Sequence, residues 1–312
     1  MTRVVAVVVA FNRAELLVEV LDGLRAQTEP LAGIVVVDNA STDGTRDVAA
    51  ATDVDLVALD RNTGGAGGFA AGIARALVHH EPDWIWIMDD DSVPTPTAAA
   101  ELRVAAEVSG AVLAASRVVW HDGRDHPMNT PRQRPFASSR RRAAAARAGG
   151  IPVRSASFVS ILVRADAARE QGLPVADYFI WNDDFEYSTR LLRGRDGIYA
   201  PASVVIHKTK AFGSTDVDPG PRFYYEVRNK LWMLRRSASL NPAEKALYGG
   251  ATVLRWARTW RGSTDRATLR DAFRRGWRDG WRTVPRPNAT ALADVGTVAA
   301  DIAAVEAGRA RG

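Results

Sequence analysis

The sequence contains no cysteine, which excludes disulfide bonds, thiolate metal sites and a cysteine nucleophile. Lysine is scarce too, since only four of the 41 basic residues are lysines. This arginine bias, together with the many alanines, is typical of a GC-rich bacterial genome. The net charge of +5 over 312 residues is too small to predict nucleic-acid binding, which requires a concentrated basic patch.

Long apolar runs are absent as well. The N-terminal run over residues 4–11 has eight residues, whereas a membrane span needs about 20, and Asn12 and Arg13 follow it directly. The run therefore predicts a buried strand rather than a signal peptide or a membrane anchor. We expect a globular protein of the cytoplasm, either free or peripheral on the cytoplasmic face of the membrane.

Short apolar runs alternate with helical patterns, which predicts an α/β fold with a mainly parallel sheet flanked by helices. The predicted strands cover residues 4–10, 34–37, 56–59, 84–88, 112–119, 158–163 and 198–206. Helical patterns dominate from Phe223, so we expect a catalytic domain over residues 1–215 and a helical C-terminal extension over residues 216–312. In such sheets the ligand lies beyond the carboxyl ends of the strands.

Two arginine-rich segments have no single interpretation. Residues 132–147 contain six arginines and are expected to form either a mobile loop over the site or an ordinary solvated loop. The extension holds five of the nine tryptophans, interleaved with arginines. This pattern suits a membrane-interfacial helix, a packed helical lobe or a dimer contact.

Three consecutive carboxylates, Asp89, Asp90 and Asp91, end the predicted strand 84–88. Because alternate residues of an extended chain point the same way, Asp89 and Asp91 can share one divalent cation while Asp90 faces away. An acidic turn before Pro94 is the alternative. His207 ends the last predicted strand and is either a further metal ligand or a structural histidine.

A second acidic cluster follows Trp181. Asp183, Asp184 and Glu186 occupy three of four consecutive positions there. One of these carboxylates can act as a general base near the metal, or the aspartates can simply cap the start of a helix.

The glycine-rich segment Gly65-Ala66-Gly67-Gly68-Phe69-Ala70 matches the spacing of a dinucleotide-binding turn, and Asp89 follows about 20 residues later. This favours a nucleotide-dependent oxidoreductase. The same glycines equally allow a sugar or phosphate to approach the backbone of a different enzyme.

The joint order of several motifs resembles the inverting nucleotide-sugar glycosyltransferases of family 2, which have the GT-A fold. The motifs are Ala10-Phe11-Asn12-Arg13, Gln27-Thr28, Val37 to Gly44, Asn62-Thr63-Gly64-Gly65, Asp89-Asp90-Asp91, Asp183-Asp184-Phe185-Glu186 and His207. Within the family, the chain is most similar to bacterial galactofuranosyltransferases. Rhamnosyltransferases share much of the pattern, including a segment like Tyr225-Glu226-Val227-Arg228-Asn229.

The resemblance implies a role for each candidate residue. Asp38 would receive the uracil N–H, and Asp184 would be the general base, with Asp183 as its competitor. Asp89, Asp91 and His207 would hold Mg²⁺ or Mn²⁺. Donor binding would involve Phe11, Arg13, Asp38, Asn62, Gly65, Asp90, Trp181 and Glu186.

The expected function is thus a metal-dependent inverting glycosyltransferase that moves a sugar, with UDP-galactofuranose favoured as donor, to a hydroxyl of a glycan or polyprenyl-linked glycan. A dTDP-rhamnose-dependent rhamnosyltransferase is the nearest alternative. The oxidoreductase and a non-catalytic membrane-associated scaffold are alternatives from other classes. No nucleic-acid partner is expected, and a homo-oligomer and peripheral membrane contact are left open.

Overall fold

The computed structural model of the chain describes residues 2–209, 212 and 218–309. Its strands are β1 (Val4–Ala10), β2 (Gly33–Asp38), β3 (Asp55–Ala58), β4 (Trp84–Asp89), β5 (Ser92–Pro94), β6 (Leu113–Trp120), β7 (Arg132–Gln133), β8 (Ile151–Ser155), β9 (Ser160–Arg164) and β10 (Gly197–His207). Its α-helices are α1 (Ala14–Arg25), α2 (Thr45–Ala50), α3 (Gly64–His79), α4 (Ala98–Ser109), α5 (Ser139–Arg147), α6 (Ala165–Gln171), α7 (Asp183–Leu191), α8 (Phe223–Arg236), α9 (Pro242–Gly262), α10 (Arg266–Arg282), α11 (Asn288–Ala291) and α12 (Val298–Arg309).

The strands form one sheet in the order β3-β2-β1-β4-β9-β6-β10-β8-β7, with β5 paired to β10. Strands β3, β2, β1 and β4 pair in parallel, as do β6 and β10. Strand β9 lies antiparallel between β4 and β6, so these two parallel groups run in the same direction. The mainly parallel α/β sheet expected from the sequence is confirmed.

Strand β1 shows why the sheet must be covered on both faces. All seven of its residues are buried. Val5, Val7 and Val9 enter one apolar cluster, whereas Val4, Ala6 and Val8 enter the other, as the period of two requires. Its neighbours β2 and β4 end in Asp38 and Asp89, so both carboxylates reach the same edge of the sheet.

Two glycines of α3 permit close packing of this helix on β1. A Cβ at Gly68 would lie 2.5 Å from Cγ1 of Val9, and one at Gly72 would lie 2.5 Å from Cγ1 of Val7. Side chains there would force the helix away from the sheet. Helix-to-sheet packing therefore accounts for much of the glycine spacing that favoured a dinucleotide-binding turn.

The segment 132–147, expected to be a loop, forms the short strand β7 and the helix α5. Ser138 caps this helix, since its hydroxyl accepts a hydrogen bond from the backbone N–H of Arg141. The alanine run that follows has high helix propensity, and Ala145 is buried. The loop expectation was wrong because the arginines masked a capped, alanine-rich helix.

The C-terminal extension is helical, as expected. Leu292, Val295, Val298 and Ile302 belong to the same apolar cluster as β1 and α3. A boundary near residue 215 remains a proposal, and it would separate two segments that share one core. Among the described helices, none combines the length and apolar character that crossing a membrane would need.

Candidate active site

A cavity of about 740 Å³ opens next to the end of β10, since its lining residue Asn129 lies within 3.0 Å of His207. Its walls come from the segment before β7, the end of β8, the start of α7 and the helices α8 and α9. The acidic residues Asp183, Asp184, Asp218 and Glu226 line it, as do the basic residues Arg132, Arg222, Lys230 and Arg255. The cavity is therefore rich in both charges.

The three predicted metal ligands come together beside this cavity. Asp89 ends β4, and His207 ends β10. Strand β5 pairs with β10 so that Ser92 lies opposite His207, which brings Asp91 next to the histidine. Oxygen and nitrogen ligand atoms of the three side chains lie within 4.8 Å of one another. Three segments far apart in sequence thus form one cluster.

The donor set of this cluster fits a divalent cation. Nδ1 of His207 lies 3.0 Å from Oδ1 of Asn129, which accepts a hydrogen bond from it, and Nε2 of the same ring lies 3.0 Å from Oδ1 of Asp91. That buried Asp91 oxygen has no hydrogen-bond partner among the described residues. Either a proton on Nε2 or a divalent cation shared by Nε2 and Oδ1 of Asp91 would make this contact favourable. Carboxylate oxygens with one imidazole nitrogen suit Mn²⁺ or Mg²⁺.

Asp90 points away from the cluster, as the alternation along the chain predicted. Its Oδ2 accepts a hydrogen bond of 2.8 Å from the backbone N–H of Phe11. Burial raises the pKa of Asp90 to about 7. Burial also raises the pKa of Asp89, and the neighbouring charges of Asp91 and Asp90 raise it further. Concentrated negative charge at this edge is costly, and a bound cation would offset the cost.

The acidic pair Asp183 and Asp184 begins helix α7, after an unusual stretch of backbone. Phe179, Trp181 and Asn182 all have φ between 64° and 66°, in the left-handed region that side chains avoid. Such conformations persist only where surrounding contacts impose them.

Helix α8 supplies those contacts. Nδ2 of Asn229 donates 2.9 Å hydrogen bonds to the backbone oxygens of Tyr178, Ile180 and Trp181. Oε2 of Glu226 accepts a 2.8 Å hydrogen bond from the side chain of Asn182. Residues 225–229 were among the motifs that resemble the family, but no role for them followed from the sequence. Their position shows that they hold the turn that presents Asp183 and Asp184.

The two aspartates differ in electrostatic environment. Burial raises the pKa of Asp183 to about 8, and the charge of Asp184 adds to the rise. Burial also raises the pKa of Asp184, but the charges of Lys230 and Arg132 act in the opposite direction. The positive charges of Lys230 and Arg132 therefore favour the ionised form of Asp184.

The predicted nucleotide residues lie at the ends of β1 and β2. Asp38 is fully buried, and its two oxygens accept hydrogen bonds from Nε of Arg46 at 2.7 Å and from the backbone N–H of Ser41 at 3.0 Å. Arg46 was not anticipated, and its place eight residues after Asp38 gives no sequence signal. A pyrimidine N–H would have to share an oxygen that already has a partner.

The other predicted donor-binding residues on this side of the site are Phe11, Arg13, Asn62 and Gly65. The side chain of Phe11 is 40% exposed, and the backbone N–H of Arg13 donates to Oγ1 of Thr45 at 2.9 Å. Oδ1 of Asn62 accepts a 2.7 Å hydrogen bond from the backbone N–H of Gly64. A Cβ built on Gly65 would lie 3.9 Å from Oδ2 of Asp183, so this glycine borders the acidic pair.

Trp181 lines the cavity and Glu186 does not. Glu186 is 2% exposed, forms an ion pair with Arg190 at 3.0 Å and accepts a 2.6 Å hydrogen bond from the hydroxyl of Ser237. The expectation that Glu186 shapes the sugar pocket is not supported by this position, because it lies one helical turn inside α7 and faces the protein interior.

The sequence profile of glycosyl transferase family 2 matches residues 5–171, more than half of the chain. The chain belongs to glycosyl transferase family 2. The match to family 2 includes Asp38, Asp89 and Asp91 but ends before Asp183, Asp184 and His207. The acidic pair and the histidine are therefore placed by the structure rather than by the family match.

Curated relatives include the galactofuranosyltransferase GlfT1 of Mycolicibacterium smegmatis, 31% identical over 198 residues that cover 61% of this chain and 65% of that protein. GlfT1 of Mycobacterium tuberculosis is 33% identical over 206 residues, covering 61% and 64%. The succinoglycan biosynthesis protein ExoO of Rhizobium meliloti is 28% identical over 228 residues, covering 71% and 60%. The chain thus spans slightly less than two thirds of the length of these relatives.

Among solved structures, S. aureus TarS 1-349 aligns with 99% of this chain and 88% of its own, with a TM-score of 0.59 and 14% identity. GalNAc-T7, solved with UDP, GalNAc and Mn²⁺, aligns with 93% of this chain and 57% of its own, with a TM-score of 0.58 and 14% identity. At such identities the likeness confirms the GT-A fold of this family 2 chain and carries no residue roles.

Proposed function

We propose that this protein is a metal-dependent, inverting glycosyltransferase that transfers a sugar from a nucleoside diphosphate to a hydroxyl of a glycan or lipid-linked glycan. UDP-galactofuranose is the favoured donor. The observation that carries the proposal is the placement of the cluster Asp89, Asp91 and His207 beside the cavity that Asp183 and Asp184 line. The family and the GlfT1 relatives support the donor class.

The residues of the chain divide the chemistry between them. Asp184 accepts the proton of the acceptor hydroxyl while that oxygen forms a bond to the anomeric carbon and the bond from this carbon to the diphosphate breaks. Burial, which raises the pKa of Asp183 to about 8, favours the neutral form of this residue beside an ionised Asp184. Trp181, 38% exposed, offers an aromatic surface to the sugar. When bound by Asp89, Asp91 and His207, Mn²⁺ or Mg²⁺ would neutralise negative charge on the departing diphosphate.

A panel of donors tests this function directly. The full chain is incubated with UDP-galactofuranose, UDP-galactopyranose or dTDP-rhamnose, with Mn²⁺ or with EDTA, and release of the nucleoside diphosphate is measured. We expect release from UDP-galactofuranose that requires Mn²⁺ and is lost in Asp91→Ala. Preference for dTDP-rhamnose would identify a rhamnosyltransferase, and no release from any donor under any condition would refute the proposed donor class.

We further propose that the protein works in the cytoplasm and contacts the membrane surface through its C-terminal helices. The segment 223–309 has sixteen basic and eight acidic residues. On α9, Leu247, Val253 and Leu254 are 56–62% exposed, and on α10 Trp277 and Trp281 are 42% and 47% exposed. Apolar side chains among arginines suit an anionic lipid surface. Failure to sediment with phosphatidylglycerol vesicles would argue against this contact.

A further inference from the structure

The cavity contains a buried cation without a partner. Lys230 of α8 is 8% exposed, and within residues 2–209, 212 and 218–309 its ammonium has no hydrogen bond and no ion pair. Its close neighbour is the ring of Phe185, whose centroid lies 4.5 Å from Nζ. Burial lowers the pKa of Lys230 to about 8. A buried lysine in this state stabilises the protein little, which points to a role in binding.

A second cation reaches the same aromatic ring from β7. The guanidinium of Arg132 lies 5.4 Å from the Phe185 centroid, and its side chain is exposed toward the cavity that it lines. The nearby carboxylate of Glu226 is already engaged, because Arg255, Trp256 and Asn182 all donate to it.

The charges around Lys230 connect it to the proposed catalytic pair. The groups that act most strongly on its charge are Glu226, Arg255, Arg132 and Asp184. Asp184 thus lies within electrostatic reach of Asp89 in the cation cluster and of both Lys230 and Arg132.

We propose that Lys230 and Arg132 form a subsite for an anionic group, a phosphate or a carboxylate, carried by the acceptor. This inference rests on the proposed function. An anion held between these two cations would place the rest of the acceptor toward Asp184, which takes the proton of its hydroxyl. Charge-assisted hydrogen bonds would then satisfy the Lys230 ammonium, which no residue in the described part of the chain pairs with.

The test uses methyl phosphate and glucuronate as probes, with UDP and Mg²⁺ at saturation so that the donor site is occupied. Binding is measured by ligand-observed NMR for wild type, Lys230→Met, Lys230→Arg and Arg132→Ala, with the exposed Arg169→Ala as control. We expect one probe to bind wild type, the Lys230→Met and Arg132→Ala variants to weaken it by about tenfold or more, and the control and Lys230→Arg to keep it.

Each outcome decides the question. Binding of methyl phosphate names a phosphorylated acceptor, and binding of glucuronate names an acidic sugar. Binding of neither probe to wild type, or equal binding to the variants, overturns the subsite. Loss of UDP affinity in Lys230→Met would assign the lysine to the donor and overturn it too. If Lys230→Met fails to fold, Arg132→Ala decides. If wild type binds a probe but not UDP, the proposed function fails and the assignment of the anion to an acceptor fails with it, although anion binding by Lys230 and Arg132 remains.

Discussion

Breaking the buried ion pair between Arg154 and Glu244 should destabilise the whole protein. Arg154 of β8 is 2% exposed and donates to Glu244 at 2.6 Å and to the backbone oxygens of Thr189 and Ser239 at 2.6 Å. It therefore joins the sheet, helix α7 and helix α9. In Glu244→Ala the guanidinium keeps its charge but loses the carboxylate, and loss of one partner of such a pair costs about 3–5 kcal/mol.

The structure favours the lower end of that range. The side chain of Glu244 keeps 20% exposure, so water can reach the vacated position. We expect a loss of about 3 kcal/mol in the free energy of unfolding, measured by urea denaturation followed by tryptophan fluorescence at pH 7. The matched control is Asp271→Ala, which breaks an exposed pair on α10 and should cost about 0.5 kcal/mol or less.

Acid should reduce the difference between wild type and Glu244→Ala. Burial acts to raise the pKa of Glu244, but the hydrogen bonds from Arg154 and from the backbone of Asn241, together with the positive charges of Arg154 and Arg134, outweigh it and lower the pKa overall. The pair therefore stabilises the protein above the unfolded-state pKa, and this contribution is lost as the pH falls through the folded-state pKa. A loss below about 1 kcal/mol at pH 7, or separate unfolding of the C-terminal helices, would refute the idea that Arg154 ties the extension to the sheet.

Three further outcomes follow from the site and the core. Asp184→Asn should keep UDP affinity but lose about 10²–10⁴-fold in the rate of sugar transfer. If transfer were lost in Asp183→Asn and kept in Asp184→Asn, Asp183 would be the general base instead. Asp91→Ala should weaken Mn²⁺ binding in calorimetric titrations more than His207→Ala does, because only the carboxylate supplies countercharge. Equal Mn²⁺ affinities of the two variants would contradict this expectation. Truncation after residue 215 should yield an insoluble chain, since it removes Val298 and Ile302 from the main core. A soluble fragment that binds UDP would show that the core does not need the C-terminal helices.

The sequence was sufficient for features that depend on local patterns. Continuous valine runs predicted the parallel strands, because a strand covered on both faces needs apolar residues at every position. The carboxylates Asp38 and Asp89 follow such runs, so their shared edge of the sheet could be predicted from strand direction alone. The alternation around Asp90 also followed from strand geometry, and the structure places its side chain away from Asp91 as expected.

Only the tertiary structure decided the features that depend on distant segments meeting. Asn229 holds three carbonyl oxygens before α7, and Lys230 lies beside Phe185, yet the turn before α7 is about 50 residues away in sequence. Glu186 was expected in the sugar pocket, and only the structure shows that it accepts a hydrogen bond from Ser237, which lies beyond α8. Periodicity reports which face of an element is apolar, but it carries no information about which element covers that face. For this reason, the charged groups that surround Asp184 could be identified only from the packing of distant segments.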